Sequence, residues 1–402
     1  MTKSIKKAVN ILDLRRLAQQ RLPRIIFDYL EGGAEDELTL RSNRAAFAGL
    51  HLVPRILPGQ EVDLSTTLFG TAHTVPFAIG PTGMNGLFGW QGDQALARAA
   101  GRAGVGFCLS SGANAAMEEI AELSNAPKWF QLYPWGNGQL ADHLIERAAA
   151  AGYEALVVTV DSLVPGNRER DTRNGFAHRP RMTLATILDG LSHPQWLASV
   201  WLRSGTPRIE NIAAFVGGDA TVQEIVDFTR TQRNPLFSWA DVAKIRRRWE
   251  GPLLIKGILA PQDACRALGE GIDGIIVSNH GGRQLDGAVP SIAALPKVAR
   301  AVSGRMAVLL DGGIRRGTDI LKAVALGADF VLLGRAPLYG LAAGGEEGVT
   351  RALDILRQEL ARGMCLSGCT GVGDIDSELI RDMRLLRARS GMAPGRGING
   401  SG

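Results

Sequence analysis

Residues 274–287 read Gly274-Ile275-Ile276-Val277-Ser278-Asn279-His280-Gly281-Gly282-Arg283-Gln284-Leu285-Asp286-Gly287. The first four form a short apolar run of the kind that makes a buried strand. A histidine and an arginine three residues apart leave its end, with a glycine pair between them. Two glycines let the backbone turn sharply and let a flat ligand approach. The histidine can accept a proton near neutral pH. The arginine can hold a carboxylate through two parallel hydrogen bonds. Together they suit the deprotonation of a small carboxylic acid. The plainer alternative is a strand-end turn with a surface histidine.

Seven further apolar runs flank this one, at 76–80, 106–109, 128–132, 155–158, 253–255, 307–310 and 330–333. Helical stretches lie between most of them, at 93–103, 140–150, 261–268 and 318–325. Near-continuous apolar strands alternating with helices indicate a parallel sheet covered by helices. Eight such units predict an α/β chain folded as a (β/α)8 TIM barrel. The rhythm breaks once, between Val158 and Leu253. A helix over 239–249 fills part of that gap, and about 175–232 reads as a long insertion after the fourth strand. It holds Trp196, Trp201, Phe215 and several arginines. Barrel enzymes carry insertions in the loops of the catalytic end. This one can cover the site or lie on a membrane, an ordinary docked helix being the plainer reading.

Residues 1–74 predict an N-terminal helical extension, with helices over 9–20 and 24–31. The expectation is a single domain over 1–390, its barrel at about 75–360, and a glycine-rich, disordered tail at 391–402. Apolar residues at 45% and charged residues at 21% belong to a soluble globular chain able to bury a large core. The net charge of +5 suits anionic ligands or an acidic membrane surface. It is too diffuse for nucleic acid, so no nucleic-acid partner is expected. Four cysteines are too few for a disulfide scaffold and suit a reducing compartment. Cys365 and Cys369 have no second Cys/His pair near them, so no metal site is expected. No signal peptide follows the basic Lys3, Lys6 and Lys7, and no apolar run reaches the ~18 residues of a spanning helix.

In a barrel, residues just past the strand C-termini face a common centre. Those positions hold Pro81, Thr82 and Gly83, then Ser110, then Gln131 and Tyr133, then Thr159 and Asp161 with Arg168 beyond. Next come Lys256, then Ser278, His280 and Arg283, then Asp311, Gly312, Gly313 and Arg315, and last Gly334 and Arg335. The last two groups look like a phosphate cradle, in which glycines expose backbone N–H groups, a helix N-terminus follows and arginines balance charge. Neither a GxGxxG after the first strand nor a GxxxxGK[ST] is present, which argues against a dinucleotide fold or a P-loop. The phosphate belongs to FMN or to a phosphorylated substrate.

The segments LEGGAEDELTL, GPTGMNG, FQLY, TVDS with RERD, IKG, SNHGGRQLDG, LDGGIRRGTDI and LLGRAPLYG resemble, in order, the FMN-dependent α-hydroxy-acid dehydrogenase and oxidase family. The resemblance implies a barrel that carries FMN and oxidises an (S)-2-hydroxy acid to the 2-oxo acid. It makes His280 the base and Asp161 the carboxylate that orients it and raises its pKa. Arg168 and Arg283 would hold the substrate carboxylate, and Tyr29 and Tyr133 would line the substrate pocket. Lys256 would sit beside flavin N1 and O2 and stabilise the reduced form. Pro81, Thr82, Gly83, Ser110, Gln131 and Thr159 would touch the isoalloxazine, with Ser278 beside the base. Asp311, Gly312, Gly313, Arg315, Gly334 and Arg335 would bind ribityl and phosphate. Arg170 reads as structural. His280 serves either of two routes, hydride transfer after loss of the hydroxyl proton or a carbanion formed by loss of the α-proton.

The resemblance also bears on partners. Gly83 stands where the family's oxidases tend to carry alanine and its membrane-linked dehydrogenases glycine. That favours electron delivery to a quinone or similar carrier, with the tryptophan-rich insertion docked on the inner face of a bacterial membrane. The expected location is therefore the cytoplasm, with peripheral contact to the inner membrane. The strings RLPRIIFDYLEGGAEDE, GPTGMNG and WFQLY lean towards the mandelate-oxidising members, and L-lactate is the runner-up substrate. A homo-oligomer, most often a tetramer, is implied as well.

Overall fold

The computed structural model describes residues 2–382, apart from 58, 60, 137 and 177–182. The tail expected at 391–402 lies outside the described residues, as does part of the insertion. Eight parallel strands close into a barrel. They are β1 (Phe77–Ile79), β2 (Gly106–Ser110), β3 (Lys128–Leu132), β4 (Ala155–Thr159), β5 (Leu253–Ile258), β6 (Gly274–Val277), β7 (Ala307–Asp311) and β8 (Phe330–Leu333). β8 returns to pair with β1, Val331 opposite Phe77.

Side chains alternate between the two faces of each strand. One set packs the lumen: Ala78, Cys108, Trp129, Val157, Leu254, Ile276, Leu309 and Leu332. The other packs outward against the helices in one large core. Two residues further along each strand, the inward positions become Gly80, Ser110, Gln131, Thr159, Lys256, Ser278, Asp311 and Gly334. The same period that fills the lumen therefore lays a polar and glycine ring on top of it. A hairpin of Thr66–Leu68 and Thr71–His73, unforeseen from the sequence, closes the opposite end. Its Phe69 ring meets Trp129 edge-on, with centroids 6.5 Å apart.

The strands outrun the apolar runs by up to three residues, ending on Ser110, Thr159, Ile258 and Asp311. Two helices of the N-terminal extension, Ile11–Arg21 and Arg24–Glu31, lie where expected. A helix over Arg335–Leu366, broken at Gly344 and Gly345, packs against them.

The insertion is helical: Leu184–Leu191, a run from Pro194 to Ser204 containing one π-turn, Glu210–Val216 and Val222–Thr231. Polar contacts seat it over the barrel top. The Trp196 indole donates to the Leu87 carbonyl (2.8 Å), Asn114 Nδ2 to the Arg208 carbonyl (2.9 Å), and the Arg24 amide to Asp189 (2.7 Å). These contacts hold the insertion against the loops after β1 and β2 and against the N-terminal extension.

Candidate active site

A cavity of about 270 Å³ opens at the C-terminal end of the barrel. Of the expected site residues, Tyr29, Tyr133, Arg168, Lys256, His280 and Arg283 line it, as do Pro81, Thr82, Gly83 and Ser110. Asp311, Gly312, Gly313, Arg315, Gly334 and Arg335 complete the far wall. Met84, Phe88, Trp135 and Ile209 join them without having been foreseen. Asp161, Gln131, Thr159 and Ser278 stand behind the wall. Ser110 donates to Gln131 (2.8 Å), whose amide donates to Thr159 (3.0 Å), and Lys256 donates to Ser278 (2.9 Å).

His280 has φ +56°, in the left-handed region. A non-glycine residue there costs on the order of 1–3 kcal/mol and persists only where its surroundings fix it. Its amide donates to Ser278 Oγ (3.0 Å), and Gly281 and Gly282 continue left-handed at φ +64° and +76°. A Cβ on Gly282 would lie 2.6 Å from the Leu40 amide nitrogen, so the turn presses against the N-terminal extension. Asn279 and Asn43 exchange two amide hydrogen bonds of 2.8 Å in the buried layer between them. Sequence reasoning missed this pair, because Asn43 lies far from any motif and Asn279, although inside one, has no chemical role of its own there.

His280 Nδ1 lies 2.8 Å from Asp161 Oδ1. A carboxylate only accepts, so Nδ1 carries the hydrogen and Nε2 keeps its lone pair. The expected rise in the histidine pKa is not what the surroundings produce. Burial disfavours the imidazolium, and nearby Lys256 and Arg168 add to it, so the pKa falls below the ordinary value despite Asp161. The ring is neutral at pH 7, as a base must be. Asp161 stays ionised: burial opposes its charge, but His280 and Lys256 outweigh burial.

Lys256 is buried and its ammonium bonds Asp311 Oδ2 (2.9 Å). Burial alone would lower its pKa; Asp311 and Asp161 reverse that and hold it protonated. Arg283 donates to the carbonyls of Tyr29 (2.8 Å) and Gly32 (2.9 Å), and its guanidinium lies 5.1 Å from the Tyr29 ring centroid. Burial, with Arg168 and Arg335 beside it, brings it down to about 9, still charged at neutral pH. Arg335 donates to the carbonyls of Leu30, Gly281 and Gly32. Burial raises the Tyr133 phenol, which keeps its proton and can donate. Arg170 bonds Asp28 and Glu37, the structural part expected of it.

The far wall suits a phosphorylated, hydroxyl-bearing ligand. A Cβ on Gly334 would meet no protein atom within 4 Å, so this glycine opens onto space at the start of the helix from Arg335. Gly312 and Gly313 turn left-handed at φ +94° and +82°. Asp311 Oδ1 is buried and has no partner among the described residues. A hydroxyl of a bound ligand would satisfy it.

A second cluster holds the near wall. Asp93 is buried and accepts from Asn85 Nδ2 and from the Asn114 amide, both at 2.7 Å. Asn85 also donates to the Thr82 carbonyl (3.0 Å), and Asn114 Oδ1 accepts from the Gly86 amide (2.9 Å). One carboxylate thereby joins the loops after β1 and β2 and, through Asn114, the insertion. Its only sequence signal was a charged residue inside an apolar helix face.

The chain is similar to known proteins over most of its length. A family model described as FMN-dependent dehydrogenase matches residues 18–382. An L-lactate dehydrogenase of Yersinia pestis (strain Pestoides F) is 42% identical over 367 residues, covering 91% of this chain and 96% of that protein. The crystal structure of the monotopic membrane protein (S)-mandelate dehydrogenase is similar at a TM-score of 0.90 and 38% identity, over 94% of this chain and 100% of its own. A mandelate oxidase variant with (S)-mandelic acid follows at 0.78 and 37%, over 93% and 98%.

Proposed function

The chain belongs to the FMN-dependent dehydrogenase family, and from that premise we propose that it oxidises an (S)-2-hydroxy acid with a bulky, mandelate-like side chain and passes the electrons to a quinone or similar membrane carrier. The observation that carries this reading is the neutral His280, held by Asp161, on one cavity wall with Arg168 and Arg283. The aromatic surround of Tyr29, Phe88 and Trp135 favours a large side chain. A second reading, L-lactate, has the 42% identical lactate dehydrogenase in its favour.

FMN fits the residues present. The open Gly334, with Arg315 and Arg335, would hold the phosphate, and the unpartnered Asp311 oxygen would take a ribityl hydroxyl. Pro81, Thr82, Gly83 and Ser110 would flank the ring, with Gln131, Thr159 and Ser278 supporting from behind. When bound, FMN supplies the two-electron acceptor. The protein does the rest. Arg168 and Arg283 fix the substrate carboxylate, and Tyr29 and Tyr133 orient it. His280 Nε2 takes the proton, and Asp161 stabilises the imidazolium that results. Lys256, kept cationic, would supply positive charge beside the ring.

Support for the acceptor comes from the resemblance of Gly83 to the glycine of the family's membrane-linked dehydrogenases, and a Cβ there would sit 3.0 Å from the Gly112 carbonyl oxygen. A larger residue would crowd the wall there. No helix among the described residues is long and apolar enough to cross a membrane. Helix Leu184–Leu191 buries none of its residues, and Leu184 (72% exposed), Leu188, Leu191 and Leu202 lie at the surface. That exposed apolar face supports peripheral docking.

The test is anaerobic bleaching of the yellow protein by (S)-mandelate, (S)-lactate and glycolate, followed by reoxidation with a quinone analogue or air. Fastest bleaching by mandelate, with quinone outpacing oxygen, is expected. A flavin that no 2-hydroxy acid bleaches overturns the proposal; faster bleaching by lactate selects the second reading.

A further inference from the structure

Cations outnumber the anions that the proposed reaction brings. Lys256 is paired with Asp311, and Arg315 and Arg335 stand at the phosphate end. Arg168 and Arg283 serve the substrate carboxylate. One guanidinium is left over. Arg233, from the returning arm of the insertion, is half-buried and makes no hydrogen bond or ion pair with any described residue.

Its position is fixed from both sides. The Gly136 amide donates to the Gln232 carbonyl, and Asn234 Nδ2 reaches the Gly136 carbonyl at 3.5 Å. Gly136 directly follows Trp135, which lines the cavity and stacks on Tyr133 with centroids 5.2 Å apart. Arg233 is thereby fastened next to Trp135, just outside the residues that line the cavity. Burial, and then the charge of Arg168, pull its pKa down, while Tyr133 opposes. Asp171 offsets part of the Arg168 charge, but no carboxylate among the described residues offsets Arg233, and the two guanidinium groups repel each other until an anion comes between them.

We infer that Arg233 is a specificity residue, and that the substrates taken best are 2-hydroxy acids whose side chain carries a second anionic group. The inference rests on the proposed 2-hydroxy-acid reading and narrows it. A bulky side chain would occupy the aromatic surround and place a distal carboxylate on Arg233. A neutral side chain would leave that charge uncompensated.

The experiment compares (S)-4-carboxymandelate with (S)-mandelate in the holoenzyme and in Arg233→Met and Arg233→Lys. Steady-state kcat/KM gives one readout. Titration of the oxidised flavin spectrum with 4-carboxybenzoylformate and benzoylformate gives binding without turnover. A charge-assisted contact is worth roughly tenfold or more. The ratio of carboxylated to neutral ligand, in kcat/KM and in affinity, should fall by at least about that factor in Arg233→Met, and most of it should return in Arg233→Lys. An unchanged ratio overturns the inference. If Arg233→Met does not fold with flavin, the unmodified enzyme decides: preference for the neutral acid overturns the inference, and preference for the carboxylated one that weakens with added salt supports it. Bleaching by mandelate without discrimination sinks the inference alone, whereas no bleaching by either acid sinks the reading beneath it.

Discussion

His280 shows how one residue gathers its chemistry from several origins. Its identity and its glycine neighbours were legible in the sequence, because the motif is local. Its protonation state was not, since that depends on residues far along the chain. Asp161 pulls the pKa up; burial, Lys256 and Arg168 pull it down and prevail. The acid limb of kcat/KM should therefore have its midpoint below the ~6.5 of an ordinary imidazole. The sign is that of a base that must be neutral: activity is retained as pH falls to 6.5 and lost only further down. A midpoint above 6.5 would show that Asp161 dominates instead. His280→Gln keeps an amide that can still meet Asp161 but removes the basic nitrogen. It should retain FMN, read by the flavin absorbance, while turnover drops by ~10²–10⁴. Near-normal turnover would exclude His280 as the base.

Among elements, the eight strands were the most legible, because each is a short and largely apolar run, even where Gln131 interrupts Lys128–Leu132. Their ends were less so. Ser110, Thr159, Lys256 and Asp311 are still strand, yet they interrupt apolarity because they form the polar ring above the lumen. The insertion's helices and the Asp93 cluster needed coordinates, since their contacts join segments distant in sequence. Asp93 offers a test at this scale. One of its oxygens accepts from the buried Asn85 amide and the other from the half-buried Asn114 backbone. In Asp93→Asn one oxygen becomes an NH₂ group facing another donor, at a cost of about 1–3 kcal/mol. Turning Asn85 over would relieve that contact only by setting its oxygen against the Thr82 carbonyl. The melting temperature should fall, and FMN should dissociate more readily in a fluorescence-release assay. Unaltered FMN retention would mean the loops after β1 and β2 are held by other contacts. The exposed face of Leu184–Leu191 makes the second case. Replacing Leu184, Leu188 and Leu191 by serine removes apolar area while sparing the barrel. The protein should move from the membrane pellet to the supernatant on fractionation, and an unchanged distribution would end the docking proposal.

Across the whole molecule, the barrel separates two kinds of buried polarity. At the top, most polar groups are paired or face the cavity, although Asp161 Oδ2 and Asn85 Oδ1 are buried without a partner among the described residues. At the floor, His73 sits 3% exposed between Trp129 and Phe330, its ring centroid 4.8 Å from that of Phe330. Neither ring nitrogen has a hydrogen-bond partner among the described residues. Burial lowers its pKa. As pH drops through 6.5, the unfolded chain gains a proton on this side chain before the folded chain does, and stability falls where the unfolded state binds more protons. His143 and His280 are lowered by burial too, so the effect accumulates. His73→Leu retains an apolar filling for the floor and deletes one of these proton sites. Its melting temperature should decline less between pH 8 and pH 5 than that of the unmodified protein, even if its absolute stability at pH 8 is lower. The comparison of slopes isolates titration from packing, because a packing defect shifts both pH values together. Equal declines would mean that His73 is protonated as readily in the fold as out of it, and the floor would then have to admit water.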